Sequence, residues 1–123
     1  MPWSLSYDGV GKFVEVVYEG MISASDLFVI AGEKAALAQK HGTIRLLADC
    51  TTFTGGHTIA DLYGFLEQIL TQEFVTRVRE AVILPVDASL HQQVTFWETL
   101  GQNRGLNVRV FADRASALAW LCL

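Results

Sequence analysis

The chain has 123 residues, of which 51% are hydrophobic and 18% charged, and a net charge of −4. That length suits a single domain, residues 1–123, with one core. The acidic balance and the lack of any basic run give no electrostatic reason to bind nucleic acid, and no apolar stretch nears the roughly 20 residues that span a membrane.

Trp3–Tyr7 reads as a weak first strand, and Asp8-Gly9 with Gly11 suits a hairpin turn. Phe13–Glu19 (FVEVVYE) alternates with period two and is rich in β-branched and aromatic residues, the pattern of a strand. A helix follows. Ser23 with Asp26 forms a capping-box pattern, Ile22 is placed to staple onto Leu27, and Leu27, Ala31, Ala35 and Ala38 recur at helical spacing before Gly42. Ile44–Asp49 is the next strand. Thr58 with Asp61 repeats the capping pattern ahead of Leu62, Phe65, Leu66 and Ile69, which share one helical face. Ala81–Val86 reads as a buried strand. Ser89 with Gln92 predicts a third capping box, with Leu90, Val94 and Trp97 on the buried face of a helix closed by Gly105. Val108–Ala112 is the last strand, and Asp113 caps a final helix.

The order β–β–α–β–α–β–α–β–α predicts an α/β fold with a mixed, mostly parallel sheet entered through an N-terminal hairpin. A sheet covered on both faces reads as continuously apolar, yet Glu15, Glu19, Arg45 and Arg109 interrupt these strands at alternate positions. Helices are therefore expected mainly on one face, with charges of both signs on the other, either solvated or paired with a second subunit.

The stretches G-x-x-R-L-L-A-D at 42–49 and V-R-V-F-A-D-R-A-S-A-L-A-W-L at 108–121 resemble the SpoIIAA-like (STAS-like) family of small bacterial proteins, related to the anti-sigma factor antagonists. The resemblance extends over nearly the whole chain and implies a (β-α) superhelix. In the antagonist branch it implies a regulatory protein without chemistry of its own, switched by phosphorylation of a serine or threonine just after a strand-ending Asp. The matching place here runs from Asp49 to Thr58, where Thr-Gly-Gly-His-Thr stands instead of the antagonists' Asp-Ser-Ser-Gly. A likeness of this fold to CRAL-TRIO-type lipid carriers suits the apolar composition.

The stretch after the third strand supplies the candidate site: Asp49, Cys50, Thr51, Gly55, Gly56, His57 and Thr58. It reads as a strand-to-helix loop at the carboxyl edge of the sheet, where open α/β folds bind ligands. Asp49 is either a turn residue that accepts loop amides or a wall of such a site. Cys50 is either a small buried hydrophobe or, near a helix N-terminus, an activated thiol that could pair with His57. Gly55-Gly56 could bring amides to an anion, but neither a P-loop nor GxGxxG is present. Thr58 is first of all an N-cap, and a phosphate there would meet Asp61. The aromatics Phe53, Phe65, Phe74, Phe96, Trp97 and Trp120 serve as core or as pocket walls.

The three histidines are scattered and the two cysteines lie outside any CxxC spacing, so neither a metal nor a cofactor is expected. The start, MPWSLSYDG, has no basic n-region or apolar h-region, which points to a cytoplasmic protein with reduced thiols. The leading expectation is a non-enzymatic regulatory or binding module, a homodimer, that recognises a partner protein or a small apolar ligand near residues 49–58. A hydrophobic-ligand carrier and a small enzyme using Cys50 or His57 are the alternatives.

Overall fold

The structure is a computed structural model and describes residues 1–123. Five strands, β1 (Trp3–Asp8), β2 (Phe13–Met21), β3 (Arg45–Gly55), β4 (Arg79–Ile83) and β5 (Asn107–Phe111), form one sheet in sequential order. β1 and β2 pair antiparallel, and all later pairs are parallel. Helices α1 (Ala24–His41), α2 (Ile59–Ile69) and α3 (His91–Asn103) connect the parallel strands, and α4 (Arg114–Leu121) closes the chain. No helix is long and apolar enough to cross a membrane.

Local chemistry explains most of the boundaries. The Asp8 carboxylate accepts from the amides of Val10 and Gly11, both at 2.9 Å, and so folds the hairpin turn. Both reciprocal bonds of the capping box form at Ser23 with Asp26 and at Thr58 with Asp61, and each box contributes about 1 kcal/mol. Gly42 adopts the left-handed conformation (φ 65°) that ends α1. Asp113 accepts from the Ser116 amide at the start of α4.

Three expectations need correction. The capping box of Ser89 with Gln92 does not form: Asp87 takes both the amide and the hydroxyl of Ser89, at 3.0 and 2.7 Å. A 3-10 turn then spans Ala88–Leu90, and α3 starts at His91 without a side-chain cap. The strand predicted over 81–86 runs instead from Arg79 to Ile83. Pro85 has no N–H to give a ladder, and Val86 is 81% exposed. Finally, the third strand does not end at Asp49. It continues to Gly55 beside a β2 that itself extends to Met21, so most of the expected loop is strand.

The two faces of the sheet are covered unequally. Val16, Ala48, Val82 and Val108 from the strands meet Ile30, Leu66 and Val94 of α1–α3 in the main core. Burying a side chain such as Leu66 or Ile30 completely contributes about 1.5–3 kcal/mol. On the other face Phe13, Leu47, Ala81 and Ile83 pack against Ala117 and Leu121 of α4 in a smaller cluster. Residues 46–48 of β3 and 81–83 of β4 are thus buried from both sides. Around α4 that second face carries Glu15 and Asp49, both of which pair with Arg114. Arg79 there sits over the Trp120 ring, 4.4 Å from its centroid, and donates to the Trp120 carbonyl at 2.7 Å.

Candidate functional site

A cavity of about 80 Å³ opens between the sheet and α1–α3. Its walls include Leu27, Phe53, Leu62, Phe65, Val94 and Trp97, and its polar atoms come from Tyr18, Lys34, Cys50, His57, Glu80 and Gln93. A β-bulge builds part of this wall. Val17 pairs with Asp49 and Glu19 with Thr52, so Cys50 and Thr51 together stand opposite Tyr18 alone. The extra residue shifts the alternation along β3, and Cys50 and Phe53, three positions apart, both line the cavity.

The floor holds a buried ion pair. Lys34 of α1 donates to Glu80 Oε2 of β4 at 2.9 Å, and their side chains are 16% and 13% exposed. The Trp97 indole N–H of α3 approaches Glu80 Oε1 at 3.4 Å. One acid therefore ties α1 and α3 to the middle of the sheet. Lys34, Phe65, Glu80 and Trp97 also border a second cavity of about 60 Å³, so this group stands between two apolar spaces.

Burial and neighbouring charge set the protonation of the floor. Burial, aided by Glu80 and Cys50 and opposed by Lys34, pushes the Tyr18 phenol up to about 12. Burial, followed by the nearby charges of Glu80 and Asp49, raises the Cys50 thiol well above its ordinary value. For Lys34, burial works against the charge, but Glu80 and then Tyr18 outweigh it and the ammonium is held more firmly than usual. At neutral pH the floor therefore presents a thiol, a phenol and an ammonium.

At the rim, His57 Nδ1 donates to the Ile22 carbonyl at 2.8 Å, and Gln93 Nε2 donates to the His57 carbonyl at 3.1 Å. A carbonyl only accepts, so Nδ1 carries the proton and Nε2 of the neutral ring is an acceptor. Gly56 makes this closure feasible: a Cβ there would lie 2.6 Å from the Ile22 carbonyl oxygen, and its φ is 109°. Gly55 also has positive φ (106°) but has room beside it.

The seven candidate residues are therefore divided. Cys50 and His57 line the cavity. Asp49 points to the opposite face, where its carboxylate accepts from the Thr51 amide and hydroxyl and lies 3.9 Å from Arg114. Thr51 serves that turn, Gly55 and Gly56 shape the rim, and Thr58 is the N-cap of α2. Among the aromatics, Phe53, Phe65 and Trp97 are cavity walls, Phe74 borders the second cavity, Phe96 packs on Tyr63, and Trp120 lies on the α4 face. Tyr18, Lys34, Glu80 and Gln93 were missed. A signal for two of them exists: Lys34 falls four residues after Ile30 on the buried stripe of α1, and Glu80 alternates with Val82 on the buried side of β4.

A sequential five-stranded mixed sheet, with three crossover helices on one face and a closing helix on the other, defines a SpoIIAA-like α/β domain. The SpoIIAA-like family matches residues 13–122, and the chain belongs to that family. Its structure is similar to the crystal structure of an uncharacterized protein from the DUF3478 family, with a SpoIIAA-like fold, from Shewanella loihica PV-4. The TM-score is 0.60 at 21% identity, over 98% of this chain and 92% of that one. That likeness concerns the fold. No curated protein matches the chain.

Proposed function

We propose that this chain is a non-enzymatic binding module that takes up a compact, largely apolar small molecule between the sheet and α1–α3. The supporting observation is the cavity itself, apolar in its walls, with a buried Lys34–Glu80 pair on its floor. A buried ion pair is an expensive way to fill a core and is often no better than packed hydrophobes, so its place beside open space favours a use in recognition. The chemistry of the floor argues against catalysis, because Cys50 stays a thiol, Tyr18 a phenol and Lys34 an ammonium, none of them a ready nucleophile. The size narrows the carrier alternative. An apolar cavity of about 150 Å³ holds benzene, so about 80 Å³ suits a small ligand and not a long acyl chain. In this reading Gly55–Thr58, at the rim, is where a partner protein or the second subunit of a homodimer would sense occupancy.

Native mass spectrometry of the freshly purified protein tests this. The expected result is a native mass exceeding that of the polypeptide, with the excess lost on denaturation. Ala48→Leu, which adds bulk to a cavity-lining position, should abolish the excess. A clean polypeptide mass that also stays clean after soaking with small apolar fragments would sink the proposal.

A further inference from the structure

The polar atoms around the cavity are not balanced between donors and acceptors. Glu80 is the only carboxylate on the lining, and both of its oxygens are engaged, one by Lys34 and the other by the Trp97 indole. The Gln93 amide nitrogen is committed to the His57 carbonyl. Lys34 has three N–H groups, of which Glu80 takes one and the Tyr18 oxygen a second. The Tyr18 oxygen is hydrogen-bonded to the Lys34 ammonium, which can only donate, so the Tyr18 O–H is left to donate elsewhere, and Cys50 adds a weak S–H donor. The deep end therefore offers unspent donors, while its one carboxylate already receives a donor on each oxygen. The rim has the opposite character, with His57 Nε2 free to accept.

Charge selects further. Lys34 and Glu80 cancel each other, and no second cation or anion lines the cavity, since Tyr18 and Cys50 are neutral and His57 stands at the rim. A ligand carboxylate reaching Lys34 would lie against Glu80, and a ligand ammonium would lie against Lys34. Either ion would also lose its hydration among apolar walls, a cost that no partner here offsets.

We infer that the ligand is uncharged and carries one acceptor oxygen, a ketone- or amide-type carbonyl, at its buried end, received by Lys34 and Tyr18. This rests on reading the cavity as a binding site. It adds an orientation, with the carbonyl inward and the apolar body toward Phe53, Phe65 and Val94, and it excludes carboxylates and amines built on the same apolar body.

The test compares two probes of one shape, cyclopentanone and methylenecyclopentane, which replaces the carbonyl oxygen with a CH₂ group, with cyclopentanecarboxylate, which puts a larger, charged head on the same ring. Each is titrated into the labelled protein while the Gln93 side-chain amide and the Trp97 indole are followed by NMR. The ketone should bind at least about tenfold more tightly than the alkene, the lower end for a hydrogen bond from a charged donor, and the carboxylate should bind weakest. In Lys34→Met/Glu80→Leu, which leaves no lone buried charge and adds no amide donor, the ketone's advantage over the alkene should shrink to what the Tyr18 hydroxyl alone supplies. Tyr18→Phe, the milder change, should weaken the ketone alone. An alkene that binds as well as the ketone, or a carboxylate that binds best, overturns the inference and leaves the cavity a site. No shift at either reporter with any probe at saturating concentration overturns the binding reading as well.

Discussion

Charges are paired on both faces of the sheet, in opposite settings. Under α1–α3, Lys34 and Glu80 meet at 2.9 Å beside apolar cavities. On the α4 face, Arg114 forks the Glu15 carboxylate at 2.8 and 2.7 Å, and its own side chain remains 46% exposed. The distances are nearly the same, so Coulomb attraction in a common medium would rate the pairs alike. The medium is not common. Water reaches Arg114 and screens the outer pair, although Glu15 itself is only 15% exposed, whereas both inner ions are shielded and each depends on its partner. The inner pair is therefore the one whose removal the fold registers, and the outer pair ties the closing helix to the sheet at small net gain.

Breaking one ion of each pair is the most direct attack on that contrast. Glu80→Leu leaves Lys34 buried without a counter-charge and should cost about 3–5 kcal/mol in urea unfolding. Lys34→Met/Glu80→Leu should recover most of the loss, because two apolar groups replace two ions. Arg114→Ala should cost less, about 1 kcal/mol and less again at high salt, because one ion of that pair is open to water. Equal losses from Glu80→Leu and Arg114→Ala would abolish the distinction between the faces.

Alkali probes the inner face without mutation. Tyr18, Cys50 and Lys34 all hold their protons more tightly in the folded chain than in the unfolded one. The stability from each is complete below its unfolded value, near 10.0, 9.0 and 10.5 in turn, and drains away as the pH rises beyond it. Unfolding free energy should therefore begin to fall near pH 9. Tyr18 alone, shifted to about 12, accounts for on the order of 2–3 kcal/mol of the decline. Cys50→Ala should move the onset toward pH 10, as read from urea midpoints across the alkaline range. A midpoint unchanged up to pH 11 would contradict a dry floor.

The rim offers a smaller contrast between adjacent glycines. Gly55→Ala meets only the Leu90 side chain at 3.8 Å, so its cost is the strained backbone, about 1–3 kcal/mol. Gly56→Ala carries the same strain and drives Cβ into the Ile22 backbone, so it should be clearly the worse of the two by thermal unfolding. It should also loosen the His57–Ile22 bond and broaden the His57 ring signals.

Much of the architecture was legible because each element announces itself locally. Ser23 with Asp26, Thr58 with Asp61 and the alternation of Phe13–Glu19 are short-range signals, and charges at Glu15, Arg45 and Arg109 revealed the unequal faces. The site was less legible because it depends on what the chain brings together across long separations. Lys34 and Glu80 are 46 residues apart, and each alone reads as an ordinary solvated charge. Cys50 and Phe53 share a wall only because a bulge, invisible to a period-two reading, shifts the face of β3 between them. Asp49 looked like part of the same edge because the strand was expected to stop there.

Helix starts separate the two kinds of information at the smallest scale. Thr58-x-x-Asp61 and Ser89-x-x-Gln92 are equivalent as patterns, yet Asp87 stands two residues before Ser89 and has already taken its amide and hydroxyl. Thr58 has no such competitor and caps α2 at the rim, while Asp113 caps α4 on the other face. Thr58→Ala and Asp113→Ala should each cost about 1 kcal/mol, and Ser89→Ala should stay within about 0.5 kcal/mol. The faces should then part in the second readout. Thr58→Ala frees the first turn of α2 beside His57 and should weaken cyclopentanone binding, whereas Asp113→Ala, equal in stability, should leave binding unchanged. If both caps change binding equally, the loss reflects overall stability and the rim has no separate part in holding the ligand.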